Sequence, residues 1–238
     1  MTNSSVPRHH QSFLQMGIGE FWSGDLGLTL LSISLLILIF VIFPLREAGI
    51  PGRIFFDLTI VTLMIMGTFA VPQSRTMTIL TIVTVLAAII ALIAGRLHPV
   101  PSLHELGSLL STMALLIYIR VVLLIMFRAG RITWSRMQGG VCAYLLIGLA
   151  WGSAYELLEE LSPGSFHFVS SPESIDQLTA KLTYFSFSTL TTVGFGDVTP
   201  LQPFARSMAI AEAITGQLFP AILIGALVAM AIQSAAKS

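Results

Sequence analysis

The sequence predicts an all-α membrane protein. Hydrophobic residues make up 55% of the 238-residue chain, and charged residues only 10%. The apolar residues are concentrated in segments close to the ~20 residues that cross a bilayer as a helix. Short polar segments, several with proline, separate them. The pattern predicts six membrane-spanning helices, at 27–43, 54–71, 76–95, 107–127, 139–158 and 204–232.

The composition argues against several other classes of protein. The net charge of zero argues against nucleic acid as a partner. The single cysteine, Cys142, lies in an apolar segment, so no intrachain disulfide forms. The tail at 1–22 lacks the apolar region of a cleaved signal peptide. No catalytic or metal-ligand cluster falls at intramembrane depth, so we expect neither an enzyme nor a bound cofactor.

A segment that is too short and too polar to span lies between the last two predicted helices. Residues from about Ser174 to Leu190 predict a short re-entrant helix, and a glycine-containing tract follows it directly. Gly194 and Gly196 permit positive φ without a Cβ clash. Because backbone dihedrals can therefore alternate in hand, successive carbonyl groups of this tract can all face one side.

The tract closely resembles the selectivity filter of potassium channels, in which rings of carbonyl oxygens replace the water shell of the ion. The resemblance covers about residues 139–232 and implies an outer helix, turret, pore helix, filter and inner helix. It implies a homotetrameric potassium channel in the lipid bilayer, with K⁺ held by backbone carbonyls and the Thr192 hydroxyl. The implied filter residues are Thr192, Val193, Gly194, Phe195, Gly196 and Asp197, and the first four of these supply the oxygens.

The resemblance also implies roles for residues around the filter. Asp197 places a carboxylate at the outer mouth, where it attracts cations. Phe195 occupies a position that is usually tyrosine, so its ring can pack but has no hydroxyl group. Ser188 lies where some members of the family carry a buried carboxyl group. The residues implied to support the filter from the short helix are Tyr184, Phe185, Ser188 and Thr189.

The last predicted span contains an implied gate. Gly216 lies where the family carries its gating glycine, and Pro220 removes one helical hydrogen bond, so we expect a hinge. The alternative is that glycine and proline are simply common in membrane helices. Glu212 is an intramembrane ionisable residue, which we expect to bond to the short helix of its own or a neighbouring subunit. Gln217 is expected to face the cavity.

The predicted domains are a cytoplasmic tail at 1–22, a four-helix domain at 23–137 and a pore domain at 138–238. The four-helix domain resembles a degenerate voltage sensor, because only Arg120 lies within its fourth span. Asp57 is the expected partner of Arg120, and a lipid headgroup or subunit interface is the alternative. We expect no regulatory domain after the inner helix.

Charge distribution predicts the orientation. The basic linker at 128–136 indicates the cytoplasmic side. Both termini are then cytoplasmic, the filter opens outward, and the plasma (inner) membrane is the expected location. Two alternative functions are a non-selective cation channel and a secondary transporter. Transporters usually carry inverted repeats with paired broken helices, for which the first half of the chain shows no counterpart.

Overall fold

The structure, a computed structural model, describes residues 25–48, 101–126 and 134–235, together with residues 83, 86, 87 and 90. Its elements are helical except for one pair of short strands. In chain order they are α1 (Asp25–Ile37), a π-helical turn (Leu38–Ile42), α2 (Phe43–Glu47), α3 (Pro101–Met126), α4 (Trp134–Leu161), β1 (Phe166–Phe168), α5 (Ile175–Leu190), β2 (Val198–Pro200) and α6 (Pro203–Ala235).

Four of the described helical segments are long and apolar enough to cross a membrane. They correspond to the first, fourth, fifth and sixth spans predicted from the sequence, and they support an integral membrane protein. The predicted span at 54–71 lies outside the described residues, as does most of the span at 76–95, so both stay predictions. The four segments are Thr29–Glu47, Leu106–Leu124, Met137–Leu161 and Pro203–Ile232.

The first span ends about one turn later than the sequence predicts. Pro44 was expected to close it, but the helix continues to Glu47. Pro44 lies in the first turn of α2, directly after the π-helical turn, where the Phe43 N–H donates to the carbonyl oxygen of Leu38. The wider π-helical turn gives room for the proline ring, which in a regular α-helix would clash with the preceding turn. The prediction that Pro44 ends the helix is therefore wrong.

One hydrophobic core joins the first, fourth and fifth spans. Leu35 of α1, Tyr118 of α3 and Leu146 of α4 are all buried within it. A polar contact accompanies this packing: the Ser32 hydroxyl of α1 lies 3.0 Å from the Cys142 thiol of α4. Among the described helices that precede the predicted pore domain, α1 and α3 thus pack directly on α4, which is the first helix of that domain.

The short helix α5 lies at the centre of the second half of the chain. It begins at the N-cap residue Ser174, whose hydroxyl accepts a hydrogen bond from the Gln177 N–H. Its 16 residues span about 24 Å, which is less than the ~30 Å hydrocarbon core. Beside α5, the rings of Tyr155, Phe166 and Phe185 meet edge to face at 5.1–5.5 Å. The helix expected from about Ser174 to Leu190 is therefore present, capped at its N-terminus and packed against the aromatic cluster.

A two-stranded antiparallel sheet joins the loop after α4 to the segment after the glycine tract. Phe166 pairs with Pro200, and Phe168 pairs with Val198. The resemblance implied only a turret before α5 and no strands on either side of the tract, so the sheet is an addition. With three residues in each strand, the sheet is too short to give the period-two pattern from which strands are recognised.

Glycines on α4 allow α5 to approach closely, because small residues let the backbones of neighbouring helices come together. A Cβ at Gly148 would lie 2.6 Å from the Phe187 ring, and a Cβ at Gly152 would lie 3.0 Å from the Thr183 Cα atom. Alanine at either position would therefore separate the two helices or displace a side chain.

We expect Gly148→Ala to destabilise the protein relative to Gly225→Ala. Gly225 is the matched control, since it also lies within a membrane helix but a Cβ there meets nothing within 4 Å. Both substitutions gain up to ~1 kcal/mol of helix propensity, whereas only Gly148→Ala carries an overpacking cost of ~1–3 kcal/mol. Thermal unfolding in detergent measures the difference, and equal stability of the two variants would contradict the packing described above.

Candidate functional site: the glycine tract after α5

The sign of the backbone dihedral φ alternates along the tract. Thr192, Gly194 and Gly196 have φ values of 61°, 60° and 83°, while Val193 and Phe195 between them do not have positive φ. Glycine adopts such values readily, but a β-branched residue does so rarely, at a cost of about 1–3 kcal/mol. The alternation expected from the two glycines thus extends to a threonine, which marks the start of the tract as a strained segment.

The tract begins as the C-terminal cap of α5. The Thr192 N–H donates to the Thr189 carbonyl at 2.9 Å, and the Val193 N–H donates to the Ser188 carbonyl at 2.9 Å. These two bonds, with a left-handed residue just after the helix, are the pattern of a Schellman motif. Thr192 occupies the position where glycine is usual. The tract is therefore anchored directly on the last turn of α5.

Ser188 accepts hydrogen bonds from two further N–H groups of the tract. Its carbonyl also accepts from Gly194 at 3.2 Å, and its hydroxyl accepts from the Phe195 N–H at 3.3 Å. In a planar trans peptide the carbonyl points opposite to the N–H of the next residue. Because the N–H groups of 193–195 point toward α5, the carbonyls of 192–194 point away from it.

The tract is exposed along its length, since residues 191–197 are all exposed. Val193 is 56% exposed and Phe195 is 68% exposed, and a Cβ on Gly194 or Gly196 would meet nothing within 4 Å. Within the described ranges, no group of three or more His, Cys, Asp or Glu residues is placed to hold a metal ion. The oxygens that the tract itself presents are backbone carbonyls, which are hard ligands suited to hard cations.

The C-terminal end of the tract is held by an aromatic ring and by the sheet. The rings of Tyr184 and Phe195 stack with centroids 5.9 Å apart. Partial burial, followed by the hydrogen bond to the Asp197 carboxylate, raises the pKa of Tyr184 to about 12. The phenol is therefore a donor at neutral pH and supplies near Asp197 a hydroxyl that Phe195 lacks. The Asp197 carbonyl accepts from the Val169 N–H beside β1 at 3.0 Å.

The N-terminal end of the tract contacts α6. The Gln217 side-chain amide donates to the Thr192 hydroxyl at 3.2 Å, and the Tyr144 hydroxyl of α4 donates to the Leu190 carbonyl at 3.3 Å. A Cβ at Gly216 would lie 1.8 Å from that same carbonyl oxygen. Gly216 is thus a point of closest approach between α6 and the end of α5.

The expected hinge at Gly216 and Pro220 stays a prediction. The helix α6 is continuous from Pro203 to Ala235 and contains Pro220. A methyl group added at Gly216 would collide with Leu190, the last residue of α5, so alanine there would disturb the start of the tract as well as any hinge.

Glu212 is buried between three helices. The Tyr155 hydroxyl of α4 donates to its Oε2 atom at 2.6 Å, and its Oε1 atom lies 2.5 Å from the Ser186 hydroxyl of α5. The expected contact with the short helix is therefore made within one chain. Ser186 and Tyr155 were not predicted as site residues. A tyrosine within an apolar span was the one available signal, because a buried tyrosine hydroxyl usually has a partner.

The remaining predicted residues lie away from the tract. Phe185 is buried in the aromatic cluster with Tyr155 and Phe166. Arg120 lies on α3 with an exposed side chain. Its expected partner, Asp57, lies outside the described residues, so the pair stays a prediction. The structure thus gathers the residues of α5, the tract and α6 and leaves Arg120 apart from them.

Comparisons with known proteins agree with this arrangement. The model of a family described as "Ion channel" matches residues 144–233, which include α5, the tract and most of α6. Protein LctB of Bacillus caldotenax is 36% identical over 85 residues, which are 34% of this chain and 61% of that protein. No solved structure matches the chain. The matches support an ion channel family for the region that holds the tract.

We expect Gly216→Ala to reduce ion flux through the purified, reconstituted protein. Overpacking at this position costs ~1–3 kcal/mol. The population in which the C-terminal end of α5 keeps its position against α6 therefore falls about 5- to 150-fold. Flux from liposomes measures the effect, and Gly225→Ala is the matched control, since a Cβ there meets nothing within 4 Å. A change in single-channel open probability with normal conductance and selectivity would instead support the hinge.

Proposed function

We propose that the protein is a potassium-selective channel that conducts K⁺ through a homotetrameric pore. The observation that carries the proposal is the orientation of the tract. Its N–H groups at 193–195 are directed to Ser188, so its carbonyls at 192–194 face away from α5. A row of carbonyl oxygens on an open face is what an ion needs in place of its water shell.

The identity of the ion rests on the tract sequence. The proposed K⁺ ligands are the backbone carbonyls of Thr192, Val193, Gly194 and Phe195, with the Thr192 hydroxyl at the inner end. K⁺ is the cation that such carbonyl rings select in the channels this sequence resembles. Asp197 adds a negative charge at the outer end, where it raises the local concentration of cations.

The tetramer is proposed because one chain supplies only one row of oxygens. A closed ring around an ion needs the same row from several copies, and the resemblance implies four. The surface of α6 agrees with this, since only 6% of its most apolar stretch is buried within the single chain. Neighbouring subunits and lipid would cover its exposed apolar residues, among them Ile210, Ile214, Leu218, Ile222 and Val228.

The position of the channel in the membrane follows from charge. The basic linker at 128–136 is proposed to be cytoplasmic, which places both termini on the same side and the tract near the outer surface. The plasma (inner) membrane is the proposed location. With Asp197 outward, cations would first meet the carboxylate and then the row of carbonyls.

A flux assay tests the function. In liposomes that contain the purified protein, we expect K⁺ and Rb⁺ to pass far faster than Na⁺. Gly196→Ala should abolish this flux, because alanine at a φ of 83° costs ~1–2 kcal/mol in each of four subunits.

Gly164→Ala is the matched control for Gly196→Ala. Gly164 has the same φ of 83° and equally empty surroundings, but it lies in the turn before β1. It should keep both flux and selectivity. Equal K⁺ and Na⁺ flux in the wild-type protein would favour the non-selective cation channel, in which the weaker outer anchoring of Phe195 lets the row of carbonyls adapt to either ion.

We also expect the conductance to depend only weakly on voltage. One charge moved through 100 mV is worth ~2.3 kcal/mol, so one arginine in each of four subunits supplies at most ~9 kcal/mol. Arg120 is the one arginine within the fourth predicted span. A conductance–voltage curve measures the effect. A slope equivalent to several charges per subunit would mean that Arg128 and Arg131 also enter the field.

A further inference from the structure

Three polar side chains from three helices meet in a fully buried cluster behind the tract. Glu212 of α6, Ser186 of α5 and Tyr155 of α4 are each 0% exposed. We call these three residues the buried triad. The Gly148 carbonyl of α4 completes it, since the Ser186 hydroxyl also lies 2.7 Å from that oxygen. Groups buried this deeply in a membrane protein need a hydrogen-bond partner for each polar atom.

The triad contains more short contacts than its hydroxyl groups have protons. Tyr155 donates its one proton to the Oε2 atom of Glu212. Ser186 also has one proton, yet its oxygen lies 2.5 Å from Glu212 Oε1 and 2.7 Å from the Gly148 carbonyl. A carbonyl and a carboxylate are both acceptors only, so a carboxylate would leave one of these two contacts without a proton.

A protonated Glu212 satisfies every contact. Its Oε1–H donates to the Ser186 oxygen, Ser186 donates to the Gly148 carbonyl, and Tyr155 donates to Oε2. Each oxygen pair then shares one proton, and no net charge lies between the helices. A carboxylate in the same place would be an ionised group in an apolar interior, which is strongly unfavourable without a cationic partner.

We propose that Glu212 is a carboxylic acid at neutral pH and that its proton completes a hydrogen-bonded clamp, which positions α5 and therefore the tract. Ser186 lies on α5 two residues before Ser188, which anchors the tract. Loss of the proton would put a charge in the triad and force Ser186 to release either Glu212 or Gly148. Glu212 is thus a positioning residue that makes the conducting form of the channel sensitive to alkaline pH.

No positively charged group among the described residues faces Glu212, so only its own proton can neutralise the carboxylate. The titratable side chains that face it from α4 are Tyr155 and Tyr144, and neither brings a positive charge. From α5 the facing group is the hydroxyl of Ser186, and β2, which also packs on α6, has no titratable residue. On α6 itself, the nearest cationic residue is the exposed Arg206, at the outer end of the helix.

Infrared difference spectroscopy tests the protonation state without reference to ion conduction. At neutral pH, Glu212→Gln should remove one carbonyl-stretch band of a protonated carboxylic acid from the wild-type spectrum. Glu159→Gln is the matched control, because the two oxygens of Glu159 accept from the Gly164 and Phe166 N–H groups and need no proton. It should keep the acid band and lose carboxylate absorption. A Glu212→Gln spectrum that keeps all the acid absorption of the wild-type protein would overturn the proposal.

Tyr155→Phe supplies a second spectroscopic test, which stays decisive if Glu212→Gln fails to fold. This variant keeps the acid but removes the hydroxyl that donates to Oε2. The acid band should therefore persist and move to higher frequency, because its C=O group loses a hydrogen bond. An acid band unchanged by Tyr155→Phe would mean that the band arises elsewhere, and the proposal would fail.

The link to the tract rests on the proposed channel function and is tested by flux against pH. In wild-type protein we expect K⁺ flux to fall about tenfold or more at alkaline pH, since a broken hydrogen bond to a charged group costs at least a factor of ten. Glu212→Gln should conduct at neutral pH and lose this dependence, because its amide donates to Ser186 and accepts from Tyr155. The same alkaline fall in both proteins would overturn the link. Absence of K⁺ flux at every pH would instead reject the channel, while the infrared result would still decide the clamp.

Discussion

The structure around the tract depends on one constraint, which is that the N–H groups of 193–195 are all directed to Ser188. Because the peptide units are planar and trans, this anchoring turns the carbonyls of 192–194 to the opposite side. The hand of the backbone must then alternate, and it does so at Thr192, Gly194 and Gly196. The open row of oxygens is therefore a consequence of how α5 ends, and the position of α5 decides the position of the row.

The neighbouring helices hold α5 by two kinds of contact. Gly148 and Gly216 bring the backbones of α4 and α6 within touching distance of α5, which leaves no room for even one methyl group. The buried triad adds directional bonds between the same three helices. Close packing and interhelical hydrogen bonds are the main forces available inside a bilayer, where the hydrophobic effect does not drive helices together. Both converge on the turn of α5 that includes Ser186 and Ser188.

Much of this could be predicted because it follows from local chemistry. Long apolar segments predict spans by length alone, and the described spans lie close to their predicted positions. Glycines at 194 and 196 permit positive φ whatever surrounds them. The errors have local causes as well. The helix passes Pro44 because a π-helical turn precedes it, and the sheet between β1 and β2 forms from strands too short to show a pattern.

The sequence by itself determined the class of protein, the membrane helices, the short helix and the alternating tract, because each depends on hydrophobicity or on the dihedral freedom of residues near in sequence. Only the tertiary structure decided which groups meet. Tyr155, Ser186 and Glu212 are separated by 26 or more positions, and no periodicity relates them. Gly216 could be read as a hinge from sequence, whereas its contact with the Leu190 carbonyl depends on the distance between two helices. That distance is set by the packing of all three helices together.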